Sequence, residues 1–356
     1  MLIIREIATP QGAMDYQPEM GTQAVEGGGP EFTYKTYFAE LEAFVGREDF
    51  SALRRALVAR GREGGLAGAE GVVLRAEKHG ALYHPASVTV RFPDDAVKLC
   101  VNVAATPVAV ACLEEEAENL SGLRQRFSPE FLPCPHAFAQ SDGMAFLLED
   151  WFCGFHEFHQ DGAGRVRLWD FDAGERLLSD EEAVTLYGEA ARILTRYFDA
   201  PSGASIAPWH HAAGDFVARV GDGEVAARCI TVRGYGAHRD FTEAGPMAER
   251  LAVLSFFTNM TMRMRLDRVD GVGRLVLAEA AVASAAVAGF AKALGEREDI
   301  EDGGLGILDF LGSFSGEELA EAGVQLLDPC PPEEKALLSA AWPEHAAVLV
   351  EALAKL

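Results

Sequence analysis

The sequence predicts an α+β protein in two lobes, a small one rich in strands and a larger one that is mainly helical. Three observations carry this. β-Branched residues bunch or alternate between 72 and 104. Apolar residues take up helical spacing from about 180 onward, with one hairpin-like stretch inside that region. The chain has 356 residues, enough for two cores.

Taken in order, residues 1–70 read as an N-terminal extension. A lead-in rich in Gly, Pro and Glu holds one short strand at Leu2–Ile7. Two short helices then fill 35–61, broken near Gly46, and the glycine-rich run 61–71 is a loop. Residues 71–150 form the small lobe. Strands are expected at Val72–Glu77, Ala86–Phe92 and Val97–Ala104, the last two joined through Pro93-Asp94-Asp95. A helix with glutamates in its middle follows within 107–127. Then come a strand in 131–138 and an apolar strand at Met144–Glu149.

The large lobe covers 151–302. RVRLWDF alternates, so Val166–Phe171 reads as a strand. The helix Asp180–Phe198 starts with a capping box, Ser179 with Glu182 three residues on. Phe216–Val220 and Ala226–Val232 make a hairpin around Gly221-Asp222-Gly223. Helices follow at Met247–Arg265 and Arg274–Leu294, the second rich in small residues and suited to close packing. Residues 303–356 extend the lobe with helical segments near 305–314, 315–326 and 332–356.

Composition narrows the function classes. There are 55 acidic residues against 31 Lys plus Arg, a net charge of −24. Broad nucleic-acid binding and attachment to an anionic membrane are excluded on that balance; a nucleotide in one local pocket is not. With 49% hydrophobic residues the chain is not disordered. The six cysteines show no CxxC spacing and sit among apolar neighbours, so buried free thiols are expected. The N-terminus has neither a basic start nor a long apolar core, and no run of 18 apolar residues occurs. A soluble, cytoplasmic protein is the expectation.

The densest polar cluster in an apolar context is Trp209-His210-His211-Ala212-Ala213-Gly214-Asp215. His211 and Asp215 are four apart and could face one cavity, with Asp215 fixing a histidine tautomer for general-base work. The structural alternative is an Asp that caps a turn. His156-Glu157-Phe158-His159 lacks HExxH spacing, yet joined to His210, His211 and Asp215 it would offer a His/Asp site for Zn²⁺ or Fe²⁺. The alternative is aromatic and imidazole packing. Arg228, Arg233, Arg239, Arg263, Arg265 and Arg268 stand out in so acidic a chain, and several could converge on an anion. Ion pairing with the abundant carboxylates is the plainer outcome. The glycine cluster 303–306 follows no strand and lacks Lys, so it is not a P-loop.

The order of elements is paired strands, a helix carrying Glu, a strand, a linker, a helix, then a polar loop ending in Gly214-Asp215 and a hairpin. Over about 70–295 this resembles the two-lobed protein-kinase-like fold, most closely its aminoglycoside and choline phosphotransferase branch. The resemblance implies ATP with Mg²⁺. Asp215 takes the place of the catalytic base, and His211 or Arg233 would steady the phosphoryl group. Lys98 or Asn102 falls on the ATP-site strand. Glu116, with Glu115 and Glu118 beside it, falls on the helix that supplies a glutamate. The phosphate-covering turn falls on 78–82, without the usual glycines.

Departures also show. The family histidine is Ala213, the metal-binding Asn is Val220, and the metal-binding Asp falls on Thr231 or Val232. No metal ligand is assigned here. The expected function is a divergent, pseudokinase-like protein. It would bind a nucleotide, another anionic ligand or a protein partner between its lobes, without efficient phosphoryl transfer. The alternatives are an ATP-dependent small-molecule phosphotransferase using Asp215, and a His/Asp metal-dependent hydrolase.

Overall fold

The computed structural model describes residues 1–9, 12–29, 31–77, 80, 82–170, 174–211 and 214–356, with only the backbone at Glu301. Expectations resting on Lys78, His79, Ala81, Phe171 and Ala213 lie outside the described residues. The chain is α+β and splits into two compact units, 1–125 with 133–153, and 126–132 with 154–356. No helix among the described residues is long and apolar enough to cross a membrane.

The first unit is built on a seven-stranded sheet. Its elements are β1 (Leu2–Thr9), β2 (Gly12–Asp15), α1 (Tyr34–Ala59), β3 (Gly71–Ala76), β4 (Ala86–Arg91), β5 (Ala96–Ala104), α2 (Pro107–Arg126), β6 (Pro135–Ser141) and β7 (Met144–Asp150). The strand order is β2-β1-β3-β4-β5-β7-β6. All neighbours are antiparallel except β1 and β3, which pair in parallel from Leu2↔Gly71 to Ile7↔Ala76.

Residues 1–70 are therefore part of this unit rather than an appendage to it. Ile3 and Ile7, on one side of β1, pack onto the core. Gly71 permits the pairing, because a Cβ there would sit 3.0 Å from the Leu2 carbonyl oxygen. The helical stretch breaks where Arg47, Glu48, Asp49 and Phe50 leave helical geometry, close to the expected break at Gly46. On either side of that break, Tyr37, Phe38, Leu41, Phe44 and then Leu53, Ala56, Leu57 form a buried stripe at helical spacing.

The sheet has two unlike faces because strand side chains alternate. Val72, Leu74, Val88, Val90, Leu99, Val101, Val103, Phe146 and Leu148 meet α1 in one buried cluster. Each such side chain contributes roughly 1.5–3 kcal/mol by leaving water. The intervening positions put Arg75, Ser87, Lys98, Cys100, Asn102 and Glu149 on the other face.

In the second unit, β8 (Phe158–Gln160), β9 (Val166–Asp170) and β10 (Gly174–Leu177) form a small sheet. Next come α3 (Asp180–Arg196), β11 (Ala204–Ile206), the hairpin β12 (Phe216–Gly221) and β13 (Glu224–Cys229), then β14 (Tyr235–Ala237), which pairs with β11. The rest is α4 (Ala248–Arg263), the pair β15 (Leu266–Arg268) and β16 (Leu275–Leu277), α5 (Ala280–Gly295), α6 (Leu305–Gly312), α7 (Gly316–Leu326) and α8 (Pro332–Leu353).

The expected capping box is present: the Glu182 N–H donates to Ser179 Oγ, and the Ser179 N–H donates to the Glu182 carboxylate. The hairpin turn is Asp222-Gly223, both at positive φ (52° and 78°), the geometry of a two-residue hairpin loop that matches strand twist. Two expectations shift. β13 ends at Cys229, not Val232, because the Ile230 N–H turns to the Asp215 carbonyl. The helix expected from Arg274 begins at Ala280, since Leu275–Leu277 pair with β15.

Candidate functional site: the loop before the hairpin

Asp215 lies at the entry to β12 and is fully buried. Arg233, four residues past β13, grips its carboxylate in a bidentate ion pair, with Nη1 2.9 Å from Oδ2 and Nη2 on Oδ1. The His210 backbone N–H donates to the same Oδ2 at 2.8 Å. Three donors therefore converge on one carboxylate, and both of its oxygens are already engaged. Gly214 makes the approach possible: its φ is +70°, and a Cβ there would sit 3.2 Å from Glu157 Oε1. Asp215 thus caps a turn and anchors an arginine.

His211 does not share a cavity with Asp215 as a working pair. It is buried in an aromatic cage, its ring 5.4 Å from Phe158, 5.3 Å from Tyr187, 5.6 Å from Trp209 and 5.7 Å from Phe216. Burial pushes the imidazole down to about 4, with Asp267 opposing, so it is neutral near pH 7. Val220 faces Val225 across the hairpin, and its carbonyl accepts from Arg176. The Thr231 carbonyl accepts from the Cys229 thiol.

Among the described residues, the histidines of this region do not reach metal-ligand spacing of one another. His159 stands between Asp267 and Glu157, at 3.7 and 3.6 Å. Burial opposes its charge, but those carboxylates hold its pKa above the ordinary histidine value. Asp267 is correspondingly low: burial pushes it up, and His159, His211 and the Gln160 N–H outweigh that. His156 instead pairs with Asp170 at 3.5 Å. Among the described residues, the set with metal-holding spacing is Cys134, His136 and Asp150 in the first unit. The ligand set expected for a His/Asp hydrolase is therefore not assembled.

That Cys/His/Asp set escaped the sequence reading because Asp150 joins it only through the β6–β7 pairing. The two-residue spacing of Cys134 and His136 was the one available signal. His136 Nε2 is 2.9 Å from Asp150 Oδ1, and Arg60 approaches the same oxygen at 3.2 Å. Burial raises the Asp150 pKa, and His136 and Arg60 more than reverse it. Arg60, with Arg124 beside Cys134, opposes a cation there.

On the polar face of the first unit's sheet, the Asn102 amide donates to Glu149 Oε1 at 2.8 Å. Glu149 is pushed well above the usual carboxylate range by burial, reinforced by Glu116 on α2 and by Asp150. Lys98 lies further along β5, 3.7 Å from Glu77 and 3.8 Å over the Trp151 ring. Asn102 on the strand expected to serve ATP is thus bonded to Glu149.

The conspicuous arginines disperse. Arg228 lies over Phe131 and Phe155, Arg265 donates to the Ala278 carbonyl, and Arg268 pairs with Glu333. Arg239 and Arg263 line one cavity of about 270 Å³, together with Trp209 and Asp328. No family model matches the chain, and no curated protein is significantly similar to it in sequence.

Proposed function

We propose that the chain is a divergent relative of the kinase-like phosphotransferases that binds a small anionic ligand, a nucleotide included, without efficient phosphoryl transfer. The reading is supported by the order of the first unit: three antiparallel strands, β3-β4-β5, then α2 carrying Glu116, then β6 and β7 with β7 beside β5. It is supported further by the second unit, where α3 precedes the Gly214-Asp215 loop and a hairpin.

One observation carries the loss of transfer: Arg233 occupies the Asp215 carboxylate. Phosphoryl transfer needs a base free to orient the acceptor hydroxyl and metal ions to neutralise the phosphates. Val220 offers no ligand atom, and Thr231 offers only a neutral hydroxyl. Without those parts, binding remains and turnover falls away.

The test compares the protein with Asp215→Asn. Phosphate release from Mg-ATP is expected at background in both, while the melting temperature rises with Mg-ATP or another phosphate-bearing anion. Magnesium-dependent ATP turnover that disappears in Asp215→Asn would establish the phosphotransferase alternative instead.

A further inference from the structure

The second unit holds a cavity of about 270 Å³ that no step above uses. Its walls come from the segment after β11, the segment after β14, one face of α4, and the chain following α7. Its lining combines apolar Trp209, Phe256 and Met260 with Arg239, Arg263 and Asp328, and both arginines reach the 327–329 segment. This mixed lining suits a ligand with a flat apolar body and one charged end.

The polar end favours an anion. Two guanidinium groups face one small space in a chain whose net charge is −24. Each guanidinium carries five N–H donors. Arg239 spends one on the Leu327 carbonyl at 3.0 Å, while its buried Nε meets no hydrogen-bond partner. Among the described residues Arg263 makes long contacts, 3.4 Å to the Pro329 carbonyl and 3.9 Å to Glu334. Asp328 is the acid that lines this cavity among the described residues. Burial raises its pKa although His238, Arg263 and Arg239 all pull it down.

The wall is also preformed. Asn259 donates to the Leu326 carbonyl at 2.8 Å and accepts the Asp328 N–H at 2.8 Å, clamping the chain that carries Asp328. A rigid wall lowers the ordering cost of binding.

We infer that this cavity binds a small organic acid, its carboxylate held by Arg239 and Arg263 and its planar body laid against Trp209 and Phe256. The inference rests on the anion-binding reading above and names the chemical class and the site. The lining suits a single ring with a short acidic arm.

The experiment titrates the full chain with phenylacetate, with its neutral isostere phenylacetamide and with Mg-ATP, following melting temperature and binding heat. Phenylacetate is expected to raise the melting temperature and phenylacetamide to leave it unchanged. Arg263→Gln and Arg239→Gln should each weaken phenylacetate about tenfold or more, as expected for loss of a charged bidentate contact. Equal shifts with acid and amide would overturn the inference without using any variant. So would phenylacetate binding that ignores both substitutions. Silence toward phenylacetate up to about 10 mM, with a clear Mg-ATP shift, would sink this site and leave the wider reading standing. Silence toward every anion would sink both.

Discussion

Arg233 decides what Asp215 can do. A carboxylate with no exposure is tolerated because an arginine and a backbone N–H satisfy it. Removing the arginine strands that charge. Arg233→Met should therefore destabilise the protein by about 3–5 kcal/mol in urea unfolding, the cost of an uncompensated buried ion. Adding Asp215→Asn should recover part of the loss, which a merely local packing defect would not allow.

Two buried titrations have opposite partners and the same sign. Glu149 has a raised pKa in the folded protein, so its contribution is complete below its unfolded value of about 4.3 and is lost as pH rises through the folded one. Glu149→Gln keeps an acceptor for the Asn102 amide and removes that loss. The variant should match the parent below about pH 4 and exceed it progressively as pH rises toward 8. His159 is also raised, by its carboxylate neighbours against burial. Its stabilising contribution is whole below about pH 6.5 and fades as pH climbs through the folded value. His159→Gln should flatten that part of the stability–pH curve; an unchanged slope would show that the ring is neutral in the fold.

Among elements, α3 and α5 cross with their backbones close together. A Cβ on Gly289 would stand 2.0 Å from the Gly188 carbonyl oxygen, and one on Gly188 would stand 3.2 Å from that of Ala285. Small residues at the contact let two backbones approach, and nothing flexible is there to yield. Gly289→Ala should force the helices apart and cost about 1–3 kcal/mol, possessing no compensating helix-propensity gain of that size. A chemical-denaturation midpoint equal to or above the parent's would refute the close crossing. The small-residue composition of 274–294 signalled such packing, but not which helix would receive it. That pairing is tertiary.

For the whole molecule, a net charge of −24 means self-repulsion in the compact state. Raising ionic strength from about 10 to about 150 mM should increase the melting temperature, because screening reaches the dispersed surface carboxylates. The buried pairs of Arg233 with Asp215 and His159 with Asp267 are shielded from that screening. A fall in melting temperature would mean that surface ion pairs, such as Arg192 with Glu189 and Glu296, outweigh the net repulsion.

What the chain alone determined is local: the alternation that makes β3, β4 and β5, the capping box at Ser179, the Asp222-Gly223 turn, and the absence of ligand chemistry at Val220. These depend on neighbours within a few residues, whose spacing is written in the order of the amino acids. Tertiary structure decided that β1 joins the sheet beside β3, that Arg233 closes on Asp215, that His211 is caged while His159 finds Asp267, and that Arg239 and Arg263 meet at one cavity. Each of these needs groups far apart in the chain to be packed together, and burial, which then sets charge and reactivity, is a property of that packing alone.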